Sequence, residues 1–198
     1  MKKLDNTVVP PNPFSCKVRI IGGKFRGQNI NFSNSEDLRP TGNRIKETLF
    51  NWLAVPIIDS NCLDLFAGSG SLSIESVSRG AFSATMIEKN NSAFLALKRN
   101  CSHLGIENVT IIKADAKKWL AEHKNLKPFD LIFLDPPFSS NLLTSCCSLL
   151  EKNGLLAENA HIYVETDRSY SAFIIPSNWQ LLKEKTSGQV SYRLYRRN

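Results

Sequence analysis

Two stretches of this chain hold residue types that can do chemistry. Residues 130–138 read DLIFLDPPF, an apolar run that ends in Asp135, two prolines and an aromatic ring, Phe138. Neither Pro136 nor Pro137 can donate to a ladder, so the chain must leave any sheet there. Asp135 precedes a proline and is pushed to an extended conformation. The carbonyls of Asp135 and Pro136 are then acceptors beside the Asp135 carboxylate. Such a cluster can accept both hydrogens of a planar amino group, with Phe138 stacked on the ring that bears it. An exocyclic amine is a poor nucleophile because its lone pair is conjugated with its ring. Attack on an electrophilic methyl makes the nitrogen positive, and fixed acceptors stabilise that charge and aim the lone pair. An unperturbed aspartate has a pKa of about 3.9, so positioning and charge stabilisation suit Asp135 better than general-base work. The plainer reading is an Asp-Pro-Pro turn with a packed Phe.

The second stretch is DLFAGSG, residues 64–70, followed by an apolar, helix-forming segment. Gly68 and Gly70 remove side chains where backbone must come close to a ligand, and a helix behind them aims its N-terminal N–H groups at that point. The third glycine of a dinucleotide fingerprint and the lysine of a P-loop are both missing. A GxG turn also serves simply to turn tightly. Further on, SATMIE ends in Glu88, an acid about 20 residues past the glycines that can accept hydrogen bonds from ribose hydroxyls. Asp115, in ADA, can equally be a helix N-cap. Four successive strand ends thus deliver Asp64 with Gly68, Glu88, Asp115 and Asp135 to one carboxyl edge, where open α/β sheets bind ligands.

The elements that must position these residues follow from periodicity. Strands are expected at 61–66, 83–88, 108–113, 129–134 and 160–165, and helices at 70–79, 90–103, 115–123 and 140–150. That alternation predicts an α/β fold with a parallel sheet and helices on both faces. The last segments depart from the alternation, since WQLLKEKTSG and QVSYRLYRR read as an antiparallel hairpin about Ser187-Gly188. Ahead of the sheet, CKVRII and QNINF flank GGKFRG, a hairpin with a basic tip. LRPTGNRIKETLFNWLA (38–54) predicts a helix capped by Thr41 or Asn43, with Ile45, Leu49, Trp52 and Leu53 on its buried face and Arg44, Lys46 and Glu47 mostly off it. Residues 1–15, with three prolines, read as a flexible leader. The expected organisation is leader 1–15, extension 16–54 and main domain 55–198.

The chain has 198 residues and a net charge of +7. Residues 1–60 carry nine Lys/Arg against five Asp/Glu, residues 183–198 five against one, and the stretch between them eleven against twelve. Excess charge at both ends suits a polyanionic partner if the ends meet in space. The five cysteines form no CxxC pair and the three histidines do not cluster with them. Reduced, buried thiols in a cytoplasmic protein are therefore expected, with no metal, no disulfide and no membrane segment.

DLFAGSG, Glu88, ADA and DPPF together resemble the class I S-adenosylmethionine-dependent methyltransferases that modify exocyclic amines. RIIGGKFRGQNI (19–30), LRPTGNRIKETLFNWL (38–53), LDLFAGSGSLSIESVSRGA (63–81) and GQVSYRLYRR (188–197) closely resemble the RsmD family, bacterial 16S rRNA guanine-N2 methyltransferases acting on guanine 966. The resemblance covers nearly the whole chain from about residue 16. It implies a Rossmann-like fold with a mostly parallel seven-stranded sheet, an antiparallel C-terminal hairpin and an N-terminal hairpin and helix. It also implies S-adenosyl-L-methionine as cofactor, held by Asp64, Phe66, Ala67, Gly68, Ser69, Gly70, Glu88, Asp115 and Ala116. Asp135, Pro136, Pro137 and Phe138 would hold the target base, and Lys24, Arg26, Arg39 and Arg44 would contact RNA. The implied partner is 16S rRNA in the 30S subunit or its assembly intermediate, and a monomer is expected. Other amine targets, a DNA adenine or a protein glutamine, are the alternative. Asp in place of Asn at position 135 and the short chain weigh against them.

Overall fold

A computed structural model describes residues 16–32, 42–124, 126–137, 142–170 and 173–198. The expected leader, Arg39, Thr41 and Phe138 lie outside the described residues. Strands β1 (Cys16–Arg19) and β2 (Asn29–Phe32) pair antiparallel, and helix α1 (Asn43–Trp52) follows. The alternating series is β3 (Asn61–Asp64), α2 (Ser71–Ser78), β4 (Ser83–Glu88), α3 (Asn91–Leu104), β5 (Val109–Lys113), α4 (Ala116–Glu122), β6 (Phe129–Leu134), α5 (Leu142–Lys152) and β7 (Leu156–Asp167). It closes with β8 (Trp179–Ser187) and β9 (Val190–Arg197). The seven-stranded sheet has the order β5-β4-β3-β6-β7-β9-β8. β3 to β7 are parallel, and β9 enters antiparallel between β7 and β8. This is the α/β fold with a mostly parallel sheet and an antiparallel C-terminal hairpin that the alternation and the last segments predicted. The order reverses at β3, whose neighbours are β4 and β6, so the crevice for a ligand opens over the ends of those strands.

Three apolar clusters hold the layers together. α4 and α5 cover one face of the sheet, centred on Ile132, Leu134, Ile162 and Val164. On the other face, Ile45, Leu49, Phe50 and Leu53 of α1 and the residue after it pack with Phe133, Tyr163, Val190, Tyr192 and Leu194. Trp52 stacks on Tyr192 at 5.4 Å between ring centroids. The N-terminal extension and the C-terminal strand, the two basic ends of the chain, therefore do meet. The third cluster joins Ile20, Phe25 and Ile30 of the hairpin to α2 and α3.

Three local expectations change. β7 begins at Leu156 rather than 160, because its register with β6 slips between Phe129 and Leu131, and Asn159 takes a left-handed φ of 61°. An irregularity of this kind leaves no mark in a hydrophobic pattern. α1 is capped by the Gly42 backbone with no side-chain cap bond, so Asn43 is its first residue and not its cap. The largest departure is Lys46, which helical spacing left mostly off the buried face and which is fully buried. Its ammonium donates to the Arg19 carbonyl at 2.9 Å and lies 3.6 Å from the Glu75 carboxylate, itself fully buried on α2. Glu75 also accepts from the Ile21 N–H (2.9 Å) and from Arg79 Nε (2.8 Å). Burial holds Lys46 below the usual lysine range, with Glu75 opposing that shift. A charge can be buried only when it is paired and hydrogen-bonded, and here the pairing clamps β1, α1 and α2 together.

Candidate active site

The carboxyl ends of four strands form a continuous edge. Backbone bonds carry the ladder beyond the strands: Leu65 N–H to the Phe133 carbonyl (3.3 Å), Ala67 N–H to Ile87 (3.0 Å) and Ala114 N–H to Glu88 (3.1 Å). The Asp64, Glu88, Asp115 and Asp135 ends expected to converge are thus brought to one edge.

The glycine turn is built from below. Asp64 is buried; it accepts from Ser73 Oγ at 2.7 Å and from the Phe66 N–H at 3.3 Å. Burial pushes its pKa up to about 6, against the pull of those two bonds. Asp64 therefore ties the turn to α2 from underneath, as a positioning residue. Gly68 and Gly70 take φ of 52° and 79°, left-handed values that favour glycine. A Cβ on Gly70 would sit 2.4 Å from Leu97 Cδ2, so that glycine admits α3 as well as turning the chain. Ser69 and Ala67 are buried, Phe66 is half-buried against the α4–α5 cluster, and Ala116 lies in that cluster.

Glu88 is half-buried, and its Oε2 accepts from the Gly68 N–H at 2.8 Å. Its Oε1 accepts from the Asn90 N–H. The acid of β4 and the glycine turn of β3 thus touch, which the sequence spacing could only suggest. Asp115 caps α4 and accepts from the Lys118 N–H at 3.2 Å, so the cap reading holds, with the residue half-buried at the edge. Asp135 is half-buried, Pro136 buried and Pro137 exposed.

Sequence reasoning missed three residues here. Ser71, the first residue of α2, has a buried hydroxyl with no hydrogen-bond partner among the described residues. It lies directly behind the glycine turn, and a serine in a Ser-rich helix start gives no sequence signal. Tyr163 and Glu165 stand on β7 beside the DPP segment. Tyr163 Oη donates to Glu165 Oε2 at 2.7 Å, and both residues are buried. Glu165 did carry a signal, since it stands near its strand's end as an acid, as those of β3 and β4 do.

Of the expected RNA-facing cations, Lys24, Arg26 and Arg44 are placed at the surface, all three exposed. The hairpin tip that carries the first two is docked on the end of α2. The Lys24 N–H donates to the Ser78 carbonyl (2.7 Å) and the Phe25 N–H to Ser78 Oγ (2.9 Å). Gly23 lies so close that an added Cβ would fall 1.7 Å from the Ser78 carbonyl oxygen. None of the five cysteines forms a disulfide. Burial pushes the thiols of Cys62, Cys146 and Cys147 up to about 12 and that of Cys101 to about 11, which keeps them unreactive. Among the described residues no group of three potential metal ligands occurs, and no helix is long and apolar enough to cross a membrane.

Residues 18–196 match the family model described as Conserved hypothetical protein 95. The chain is 44% identical over 188 residues to the ribosomal RNA small subunit methyltransferase D of Escherichia coli, covering 95% of this chain and 94% of that one. It is 49% identical over 181 residues to the protein of the same name from Haemophilus influenzae, covering 90% and 93%. Among solved structures, one from Escherichia coli superposes with a TM-score of 0.85 at 43% identity, over 92% of this chain and 98% of that one.

Proposed function

The chain belongs to the family of the small-subunit ribosomal RNA methyltransferases D, and from that premise we propose that it methylates the exocyclic N2 amine of a guanine in 16S rRNA, at the position numbered 966. The observation that carries the reading is the meeting of the glycine turn with Glu88, on the edge where Asp135, Pro136 and Pro137 end β6.

The residues present suit S-adenosylmethionine. Ser71 Oγ, lacking a partner among the described residues, and the N-terminal N–H groups of α2 are donors for an amino-acid carboxylate. Glu88, fixed by Gly68, is an acceptor for ribose hydroxyls, and Asp115 one for an adenine amine. Bound there, S-adenosylmethionine would supply an electrophilic methyl on a sulfonium for transfer to the guanine amine. Asp135 and the carbonyls of Asp135 and Pro136 accept the amine hydrogens, orient its lone pair and stabilise its growing positive charge. Phe138 stacks on the base. Lys24, Arg26, Arg39 and Arg44 contact phosphates, so binding weakens steeply with salt. Recognition follows RNA shape, with the target base splayed from its stack into the pocket. The substrate is the 30S subunit or its assembly intermediate.

The test is transfer of labelled methyl to three acceptors in parallel: 30S particles lacking the modification, naked 16S rRNA and duplex DNA. N2-methylguanosine at one site in 30S particles is expected. Label in DNA, or in none of the three despite cofactor binding, would overturn the substrate assignment. Asp135→Ala should lower turnover by roughly 100–1000-fold while sparing cofactor affinity measured by calorimetry.

A further inference from the structure

The DPP segment has a neighbour whose chemistry the amine reading does not use. β6 and β7 run parallel with Leu134 opposite Val164, so the next pair beyond the ladder is Asp135 and Glu165. Side chains alternate along each strand. Phe133 and Tyr163 lie on the α1 face, edge to face at 6.3 Å between centroids, and the alternation sends Asp135 and Glu165 to that same face. Burial holds the Tyr163 hydroxyl in its protonated form, and the Glu165 and Asp135 carboxylates both reinforce that. Glu165 has 4% of its surface exposed, and Tyr163 Oη fixes one of its oxygens. Tyr192, opposite Glu165 on β9 and stacked on Trp52, closes the other side.

Two carboxylates on neighbouring strand ends, Glu165 buried and Asp135 half-buried, can each accept a further hydrogen bond, and together they suit a ligand that presents two adjacent donors. Guanine does so on its Watson–Crick edge, with N1–H next to the N2 amine. Adenine offers an amine next to an N1 that accepts. We propose that Glu165 is a specificity residue for the amine transfer: its carboxylate accepts the guanine N1–H while Asp135 and the Pro136 carbonyl hold the N2 amine. Tyr163 is a positioning residue that holds the Glu165 carboxylate in place. The inference rests on the guanine-N2 reading above and adds the device by which a DPP site, which alone suits any aromatic amine, selects guanine.

The test compares 30S particles reconstituted with guanine or with 2-aminopurine at the methylated position. 2-Aminopurine keeps the 2-amine but has an N1 that only accepts. The wild-type protein should favour guanine by roughly 100-fold or more in kcat/KM, as a site built around a hydrogen bond rejects the analogue lacking it. Glu165→Gln can present either its carbonyl or its amide N–H to N1 and should bring the ratio to within about tenfold. Equal wild-type use of both bases would overturn the proposal whatever the variant does. So would an undiminished ratio in a Glu165→Gln protein that melts normally and binds cofactor normally. Should Glu165→Gln not fold, Tyr163→Phe decides: it keeps the carboxylate but frees it to turn, and should lower the ratio by about tenfold, an unchanged ratio again overturning the proposal. If the wild-type protein methylates no guanine in 30S particles, both the function and this inference fall. If it methylates guanine without discrimination, only the inference does.

Discussion

Replacing Glu75 by Gln should destabilise the protein out of proportion to the change of one atom. The carboxylate is fully buried and serves three donors, the Ile21 N–H, Arg79 Nε and the Lys46 ammonium. An amide has one acceptor oxygen, so its NH₂ must face one of those donors. Arg79 is partly exposed and can turn towards water, but Lys46 is completely enclosed and would be left as an unpaired buried cation. Removing one partner of a buried pair costs about 3–5 kcal/mol, roughly 6–20 °C in Tm for a domain of this size. Lys46→Met should cost less, about 1–3 kcal/mol, because Arg79 still neutralises Glu75 and only the Arg19 carbonyl loses its donor. The double variant should recover about 2 kcal/mol relative to the sum of the single changes. Urea denaturation followed by tryptophan fluorescence and circular dichroism gives all three values. A Glu75→Gln cost below about 1 kcal/mol, or strict additivity, would refute the claim that this pair clamps the hairpin and α1 to α2.

Asp64 makes stability depend on pH in the opposite sense to most carboxylates. Its folded pKa of about 6 lies above the ordinary 3.8, so stability falls as pH rises between those values and the penalty is constant above them, roughly 3 kcal/mol. The stability difference between Asp64→Asn and wild type should grow by about 2 kcal/mol from pH 4 to 6, and a difference independent of pH would count against a buried charge there. Gly23→Ala puts a Cβ into the Ser78 carbonyl at a left-handed φ of 74° and should lift the hairpin tip from α2. The expected loss is roughly 2 kcal/mol or more, with faster hydrogen exchange at Lys24 and Phe25. Ser71→Ala removes a buried hydroxyl that lacks a partner among the described residues, so the fold should gain up to ~1 kcal/mol while cofactor affinity drops about tenfold by calorimetry. Unchanged affinity would remove Ser71 from the cofactor site.

Local residue patterns were enough to specify the succession of elements and the carboxyl edge. SATMIE reads as a strand from its alternation, and DLIFL from an apolar run that two prolines cut short. Gly70 and Pro136 end or turn the chain through their own backbone limits, whatever surrounds them. Those are local properties, and so the four acid-bearing strand ends could be found in advance. Contacts between distant segments were a different matter. Lys46 reads as a surface lysine because helical spacing describes one helix, whereas its burial depends on a carbonyl 27 residues earlier and a carboxylate on α2. Gly23 reads as a turn glycine, yet the approach of Ser78 is what forbids a side chain there. Glu165 stands near its strand's end as Glu88 does, and only the register of β6 against β7 puts it beside Asp135. Residue type and period fix what a segment can form, while the free energy of a buried charge depends on which partners the rest of the chain brings to it.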